Sequence, residues 1–306
     1  MIKKLDQIVE KVKGLPAMKL VVACGEDPHT IEAVSRAKKE GLVDVIMVGN
    51  SEKITKVASE HGVDSSIFKI IDEKDPKKAL KQAVKMVRDG DGDILMKGLV
   101  NTADYMRAIL DKENGLVPPG GVLSHVTVVE LPSYPKLLIV ADVAVIIQPD
   151  LDQKVKILQY TIETAHALGI ENPYAFLISA VETVSPKMPS TVDAAIIKVM
   201  AERGQIKGAT VEGPVALDIA VSKECAEIKG FNKPGAGEAD ILIFPNIETG
   251  NVFFKTCTQL AGGRIAAVVA GATVPCVLTS RADSEDSKFM SIALAALLAA
   301  QKGGKA

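Results

Sequence analysis

The sequence predicts an α/β protein of two domains, each a mostly parallel or mixed sheet flanked by helices. Three observations point there. Short apolar runs alternate with helical patterns along the whole chain, the mark of strand–helix units. A length of 306 residues is more typical of two domains than of one. The stretch GLVPPGG at 115–121 concentrates proline and glycine as a crossover between domains does.

The opening MIKKLDQIVEKVKG reads as a charged amphipathic helix, without the apolar region of a signal peptide. KLVVAC (19–24), DVIMVG (44–49) and DILMKG (93–98) read as strands. Each is followed by a helix, so together they predict a parallel unit. Helices are expected at 28–41, 76–89 and 102–112, with Pro28 and Pro76 at starts where a fixed φ suits the first turn. VTVVEL (126–131) and KLLIVADVAVII (136–147) are two strand-like runs joined by PSYP. They predict an antiparallel or edge pair, and hence a mixed sheet. Further strands are expected at 174–179, 208–213, 241–245 and 266–271, with VPCVLT (274–279) as a candidate last one. The remaining helices fall at 152–168, 190–203, 214–225, 249–261 and 286–301. Asp152 and Ser190 stand near helix starts, where a side-chain cap belongs. The tail QKGGKA reads as frayed.

Composition removes several function classes. With 47% hydrophobic and 24% charged residues, the chain has an ordinary globular make-up. A net charge of -2 gives no reason to expect nucleic acid or an anionic membrane surface, so any anion site must be local. The chain has no tryptophan and no interleaving of aromatic and basic residues, which argues against single-stranded nucleic acid. No run of 18 apolar residues is free of charges and breakers, so no membrane span is expected. Cys24, Cys225, Cys257 and Cys276 lie far apart with no zinc spacing. Three of them sit in apolar surroundings and read as buried free thiols, so a cytoplasmic location is expected. His29, His61, His125 and His166 show no ligand spacing, and no metal is expected. GAGEAD (235–240) precedes a strand and lacks the context of a dinucleotide loop.

Four segments carry chemistry. In VLTSRADSEDSKFMSIALAA (277–296) an apolar strand ends at Thr279-Ser280-Arg281 and a long apolar helix follows. A helix start after a strand is an anion site, Ser280 adds a hydroxyl, and Arg281 adds a planar fork suited to phosphate. Asp283, Glu285 and Asp286 offer a base; the plainer reading is that Asp283 or Ser284 caps the helix. In MKGLVNTADYMRAIL (96–110), Lys97-Gly98 leads to the natural cap Asn101-Thr102, with Arg107 in the second turn. In FPNIETGNVFFKTCTQLAGG (244–263), a strand ends at Pro245-Asn246, and Gly250 beside Asn251 allows close backbone approach. A loop glycine and a cap by Thr249 or Asn251 is the plainer reading. In VEGPVALDIAVS (211–222), Glu212 and Asp218 flank a Gly-Pro turn, and a helix-start acid explains Asp218 equally well. Ser124-His125 follows a glycine pair, and the histidine reads as a loop or core residue.

EGPVALDIAV, ADILIFPNIETGNVFFKTCTQLAGG and LTSRADSEDSKFMSIALAA together resemble the C-terminal half of the phosphate acetyltransferase and phosphate butyryltransferase family. MKGLVNTADYMRAIL resembles an earlier segment of the same family. The motifs stand in the family's order, and the similarity runs over nearly the whole chain. The resemblance implies two α/β domains, 1–120 plus 272–306 and 121–271, with an interdomain cleft. It implies a reversible exchange of an acyl group between CoA and inorganic phosphate, giving acyl phosphate and CoA. No metal or resident cofactor is expected, since CoA and acyl-CoA enter as substrates, and a homodimer or higher homo-oligomer is expected.

By the same resemblance, Ser280 stands near the thiol and carbonyl, and Arg281 steadies phosphate and developing charge. Arg107 binds CoA or phosphate. Thr102, Ser124, Asn246, Gly250 and Asn251 are the remaining candidates for substrate contact. The family's general base stands seven residues after the serine, where this chain has Ser287. Asp286, one residue short, is therefore the first candidate and Asp283 the second. SRADS and SAVETVSPKMPST (179–191) look more like the butyryl branch than the acetyl branch. The expected activity is that of a phosphate butyryltransferase-like acyltransferase. The alternatives are a phosphate acetyltransferase acting on acetyl-CoA, a non-catalytic member that binds CoA or acyl phosphate, and, at the level of fold, a two-domain dehydrogenase.

Overall fold

A computed structural model of the chain describes residues 1–279 and 283–304. The chain divides into two compact units. One is Leu5–Leu123 with Ala266–Ala306 and is built from both chain ends; the other, central unit is Met1–Lys4 with Ser124–Ile265.

The end-built unit begins with α1 (Leu5–Lys13), β1 (Met18–Ala23), α2 (Pro28–Lys39), β2 (Val43–Gly49) and α3 (Ser51–Glu60). A single 3₁₀ turn then leads to β3 (Lys69–Asp72), α4 (Pro76–Arg88), β4 (Ile94–Lys97) and α5 (Thr102–Ile109). The central unit comes next with β5 (Ser124–Glu130), β6 (Leu138–Ala141), α6 (Leu151–Ala167), β7 (Tyr174–Ile178), α7 (Pro189–Glu202) and β8 (Thr210–Val215). It ends with α8 (Leu217–Val221), α9 (Lys223–Ile228), β9 (Ile241–Ile243) and α10 (Ile247–Gln259). The chain then returns through β10 (Arg264–Ala270), β11 (Cys276–Val277) and α11 (Glu285–Lys302).

In the end-built unit the strand order is β3-β2-β1-β4-β11-β10. These strands pair in parallel except β10 with β11. In β1 every residue but Lys19 is buried, so both its faces are covered, which is why it reads as an unbroken apolar run. α11 is apolar on all sides, and a helix of that kind must be enclosed. It packs against α1 and α2, and Phe289, Ile292, Leu294 and Leu297 are wholly buried. Each such side chain contributes about 1.5–3 kcal/mol of burial. Asp27 and Asp75 cap α2 and α4, each followed by proline at the first helical position.

In the central unit the order is β5-β6-β9-β7-β8. All pair in parallel except β5 with β6. Leu138, Phe176, Leu242, Phe244 and Phe254 form the middle of its core. The first four residues belong here because the Ile2 N–H donates to Leu168 O at 2.8 Å and Lys4 pairs with Glu130 at 3.3 Å.

Several elements depart from expectation. The run 136–147 is not one strand: it stops at Ala141, because the Asp142 carboxylate accepts the backbone N–H groups of Ala144, Val145 and Ile146 and turns the chain. The helix expected at 214–225 is two short helices, with Ser222 ending α8 and capping α9. Asp150, in a capping box with Gln153, caps α6 rather than Asp152. α7 starts at Pro189 with no side-chain cap. Strand β3 and helix α3 add to the expected elements.

Candidate active site

In the end-built unit β4 pairs in parallel with both β1 and β11, so the carboxyl ends of all three share one edge. That is the edge at which open α/β sheets bind ligands. Lys97 ends β4 there, only 3% exposed, with its ammonium donating to Gly98 O at 2.9 Å and Val100 O at 3.3 Å. A Cβ at residue 98 would lie 2.0 Å from Cys24 O, so glycine alone allows the ends of β1 and β4 to approach. Asn101 caps α5 by accepting the Ala103 N–H at 2.8 Å, and Thr102 is the first helical residue. The buried Tyr105 hydroxyl reaches Leu95 O at 3.1 Å and Val277 O at 3.4 Å, tying α5 to β4 and β11. Arg107 has a 76% exposed side chain and pairs with Asp104, one turn back, at 2.8 Å. It lines a groove of about 510 Å³ with Lys77, Lys81, Lys85 and Arg88 of α4.

Ser280 and Arg281 lie outside the described residues, whereas the residues on either side of them have definite partners. Thr279 is buried. Ser284, not Asp283, caps α11 by accepting the Ser287 N–H at 3.2 Å. Glu285 and Asp286 both turn to Arg36 of α2, at 3.5 and 3.4 Å. Arg36 also pairs with Glu40 at 3.1 Å and lies over the Phe289 ring, 3.7 Å from its centroid. Lys288 is 3% exposed and donates to Thr279 Oγ1 at 3.3 Å. Burial pushes its pKa below that of an ordinary lysine, while the nearby carboxylates of Asp27 and Asp283 act in the opposite sense.

In the central unit the carboxyl ends of β6 and β9 lie side by side. The register of β5 against β6 brings the start of β5 to the same edge. Asp142 is the hub. It accepts from three N–H groups of its own turn and from the His125 N–H at 3.2 Å. Asn246 caps α10, accepting from Thr249 N–H and Oγ1, so neither Thr249 nor Asn251 is the cap. A Cβ on Gly250 would stand 2.1 Å from Asp142 O, so the helix start presses against that turn. Asn251 donates to Val143 O at 3.0 Å. Ser124 Oγ is buried and has no hydrogen-bond partner among the described residues. His125 is buried and meets Phe254 edge-on.

The structure thus gathers Ser124, Asn246, Gly250 and Asn251 at one edge of the central unit. In the end-built unit it sets Thr102 at the strand ends and sends Asp286 toward α2. Glu212 and Asp218 have lysine partners, Lys198 at 2.7 Å and Lys229 at 2.9 Å. Lys97, Lys288 and Asp142 were not among the expected site residues. For Lys97 and Asp142 the signal is a lone charge next to or inside an apolar run; Lys288 follows a cluster of acids and has no such signal. Among the described residues no three His, Cys, Asp or Glu side chains gather as a metal site. No helix there is long and apolar enough to cross a membrane.

Comparison with known proteins agrees over almost the entire chain. A family model described as "Phosphate acetyl/butaryl transferase" matches residues 4–82 and 76–296. A phosphate butyryltransferase of Clostridium acetobutylicum is 47% identical over 302 residues, 99% of this chain and 100% of the relative. A phosphate acetyltransferase of Thermotoga maritima is 43% identical over 96% of this chain and 99% of its own. Among solved structures, a branched-chain phosphotransacylase from Enterococcus faecalis superimposes with a TM-score of 0.80 at 33% identity, covering 92% of this chain and 99% of its own. The chain belongs to the phosphate acetyl/butyryl transferase family, a family of acyltransferase enzymes.

Proposed function

We propose that this protein moves a short acyl group, butyryl or similar, between CoA and inorganic phosphate, giving an acyl phosphate and CoA. The observation that carries this reading is the 47% identity, over essentially the full length of both chains, to a phosphate butyryltransferase. A phosphate oxygen attacks the thioester carbonyl, a tetrahedral oxyanion forms, and the C–S bond breaks to release the CoA thiolate, which takes up a proton. In reverse a carboxylate removes that proton, because a thiol of pKa about 8.5 is mostly protonated near neutrality. We assign phosphate and oxyanion stabilisation to Arg281 and Ser280.

For the proton we favour Asp283. The Asp286 carboxylate is turned to Arg36 of α2 at 3.4 Å, which supports the preference. Arg107, in its basic groove, is assigned to the phosphates of CoA, with Thr102, Ser124, Asn246, Gly250 and Asn251 shaping substrate contact. A cytoplasmic location and a homo-oligomer belong to the same reading.

The test is thiol release from a series of acyl-CoAs with and without phosphate. Phosphate-dependent release, fastest with four-carbon or branched chains, is the expected result. Release fastest with acetyl-CoA would instead favour the acetyl reading, which the Thermotoga relative supports. Release at the buffer rate with every chain length would leave a non-catalytic binding protein.

A further inference from the structure

We propose that the groove between α4 and α5 is a binding site for a phosphorylated nucleotide, with Lys77, Lys81 and Lys85 as the cations that meet its phosphates. The groove stands on its own geometry, and its use by the nucleotide end of CoA rests on the acyl-transfer reading above. α4 carries Lys77, Lys78, Lys81, Lys85 and Arg88 and no acid, in a chain whose net charge is -2. Lys77, Lys81 and Lys85 recur every fourth residue and so form a row along one face of the helix. Like charges at that spacing repel. Lys77 and Lys78 also stand in the first turn, where the helix dipole disfavours cations, with the cap Asp75 as counter-charge. An anion lying along the row relieves both effects.

The row borders a groove of about 510 Å³, the size of a small-molecule site. Its floor is apolar, made by Leu80 and Val84, both 3% exposed, and by Ala108 of α5. Five cations face two acids in the lining, and both acids are already engaged. Asp104 pairs with Arg107 at 2.8 Å, and Asp111 accepts the N–H groups of Glu113 and Asn114 at 3.0 and 2.7 Å. Lys77 and Lys81 form no ion pair among the described residues, whereas Lys85 and Arg88 share Asp89. An apolar floor under a cationic wall suits a ligand with a flat apolar body and a phosphorylated end. Inorganic phosphate would make no use of the floor, and an acyl chain would leave the lysine row without a counter-charge. A nucleotide meets both, its base on the floor and its phosphates on the lysines.

The experiment compares wild type with Lys77→Gln/Lys81→Gln and with Lys53→Gln/Lys56→Gln, the same change of charge on exposed positions of α3. Calorimetric titration with adenosine 3′,5′-bisphosphate and with ATP reads the groove, and thermal melting reads folding. Thiol release from butyryl-CoA and from butyryl-pantetheine, which lacks the nucleotide, gives kcat and KM. Nucleotide binding should be about ten-fold weaker in Lys77→Gln/Lys81→Gln alone, the scale of two partly exposed charge pairs. KM for butyryl-CoA should rise by a similar factor at unchanged kcat, with butyryl-pantetheine turned over as by wild type, the pattern of lost uniform binding. That outcome seats the nucleotide end of CoA in the groove. Weaker ATP binding with an unchanged KM for butyryl-CoA assigns the same groove to a free nucleotide. Wild type that binds neither nucleotide, or a folded variant that binds both as wild type does, overturns the proposal, as does an equal loss in the α3 variant. Wild type that releases no thiol, with nucleotide binding still weakened in the variant, overturns the acyl-transfer reading and leaves the groove standing. Should the double variant fail to fold, Lys81→Gln alone carries the same test, with binding about three-fold weaker.

Discussion

Asp283 and Asp286 are three residues apart and have different neighbours. Asp286 reaches Arg36 at 3.4 Å, in a partly exposed cluster with Glu285 and Glu40. A pair of that kind contributes about 0–1 kcal/mol, so Asp286→Asn should alter stability by no more than that and leave most turnover in place. Asp283 is the acid whose charge favours the protonated form of the buried Lys288. If Asp283 takes the thiol proton, as proposed above, Asp283→Asn should lower kcat by at least about 100-fold, the lower range for loss of a general base. Parallel kcat measurements at saturating substrate decide it, and equal losses in the two variants remove the distinction. None of this could be read from the string ADSEDSK, because helix phase and the side chains of α2 decide which acid faces where. Lys288 is the same case: its neighbour Asp27 is far away in sequence.

Elements are legible in the sequence where one signal dominates. Proline after aspartate marks α2 and α4, and unbroken apolar runs mark β1, β2 and β4. Legibility fails where tertiary context decides. In β3 no residue is buried and it pairs only with β2 at the sheet edge, so KIID has no apolar run to show. α3 has a weak signal in a short stretch, the Asn50 cap with Ile54 and Ala58 one turn apart on the buried face. The split of α8 from α9 depends on Ser222 taking an extended conformation and capping α9. Close approach of elements is equally hidden, and it gives a prediction. Gly98→Ala sets a methyl 2.0 Å from Cys24 O, a backbone atom with no freedom to yield. It should lower unfolding stability by about 1–3 kcal/mol, read from the urea midpoint. A wild-type midpoint would show that the ends of β1 and β4 separate more easily than this contact implies.

For the molecule as a whole, the thiols offer a test of both units together. Cys24, Cys257 and Cys276 are buried, and burial pushes their pKa values up to about 12, 11 and 12; for Cys24 the charges of Glu26 and Asp75 add to the effect. Cys225 is only half-buried. An aromatic disulfide reagent near pH 8 should count one quick thiol in the native protein and four after denaturation. Four quick thiols in the native state would contradict the packing of both units. The same background, one equivalent per chain, is to be subtracted when CoA release is followed.

The way the units divide the chain also sets an order of manufacture. The central unit is contiguous except for four residues, whereas the other has to wait for Ala266 and beyond. As the nascent chain emerges, the middle can finish while β4, lacking β11, still presents an open strand edge. Bare edges of that kind recruit stray strands. Synthesis interrupted near residue 265 would release a chain with that edge still bare, so the last forty-odd residues, by supplying β11, also cover a strand open to stray pairing.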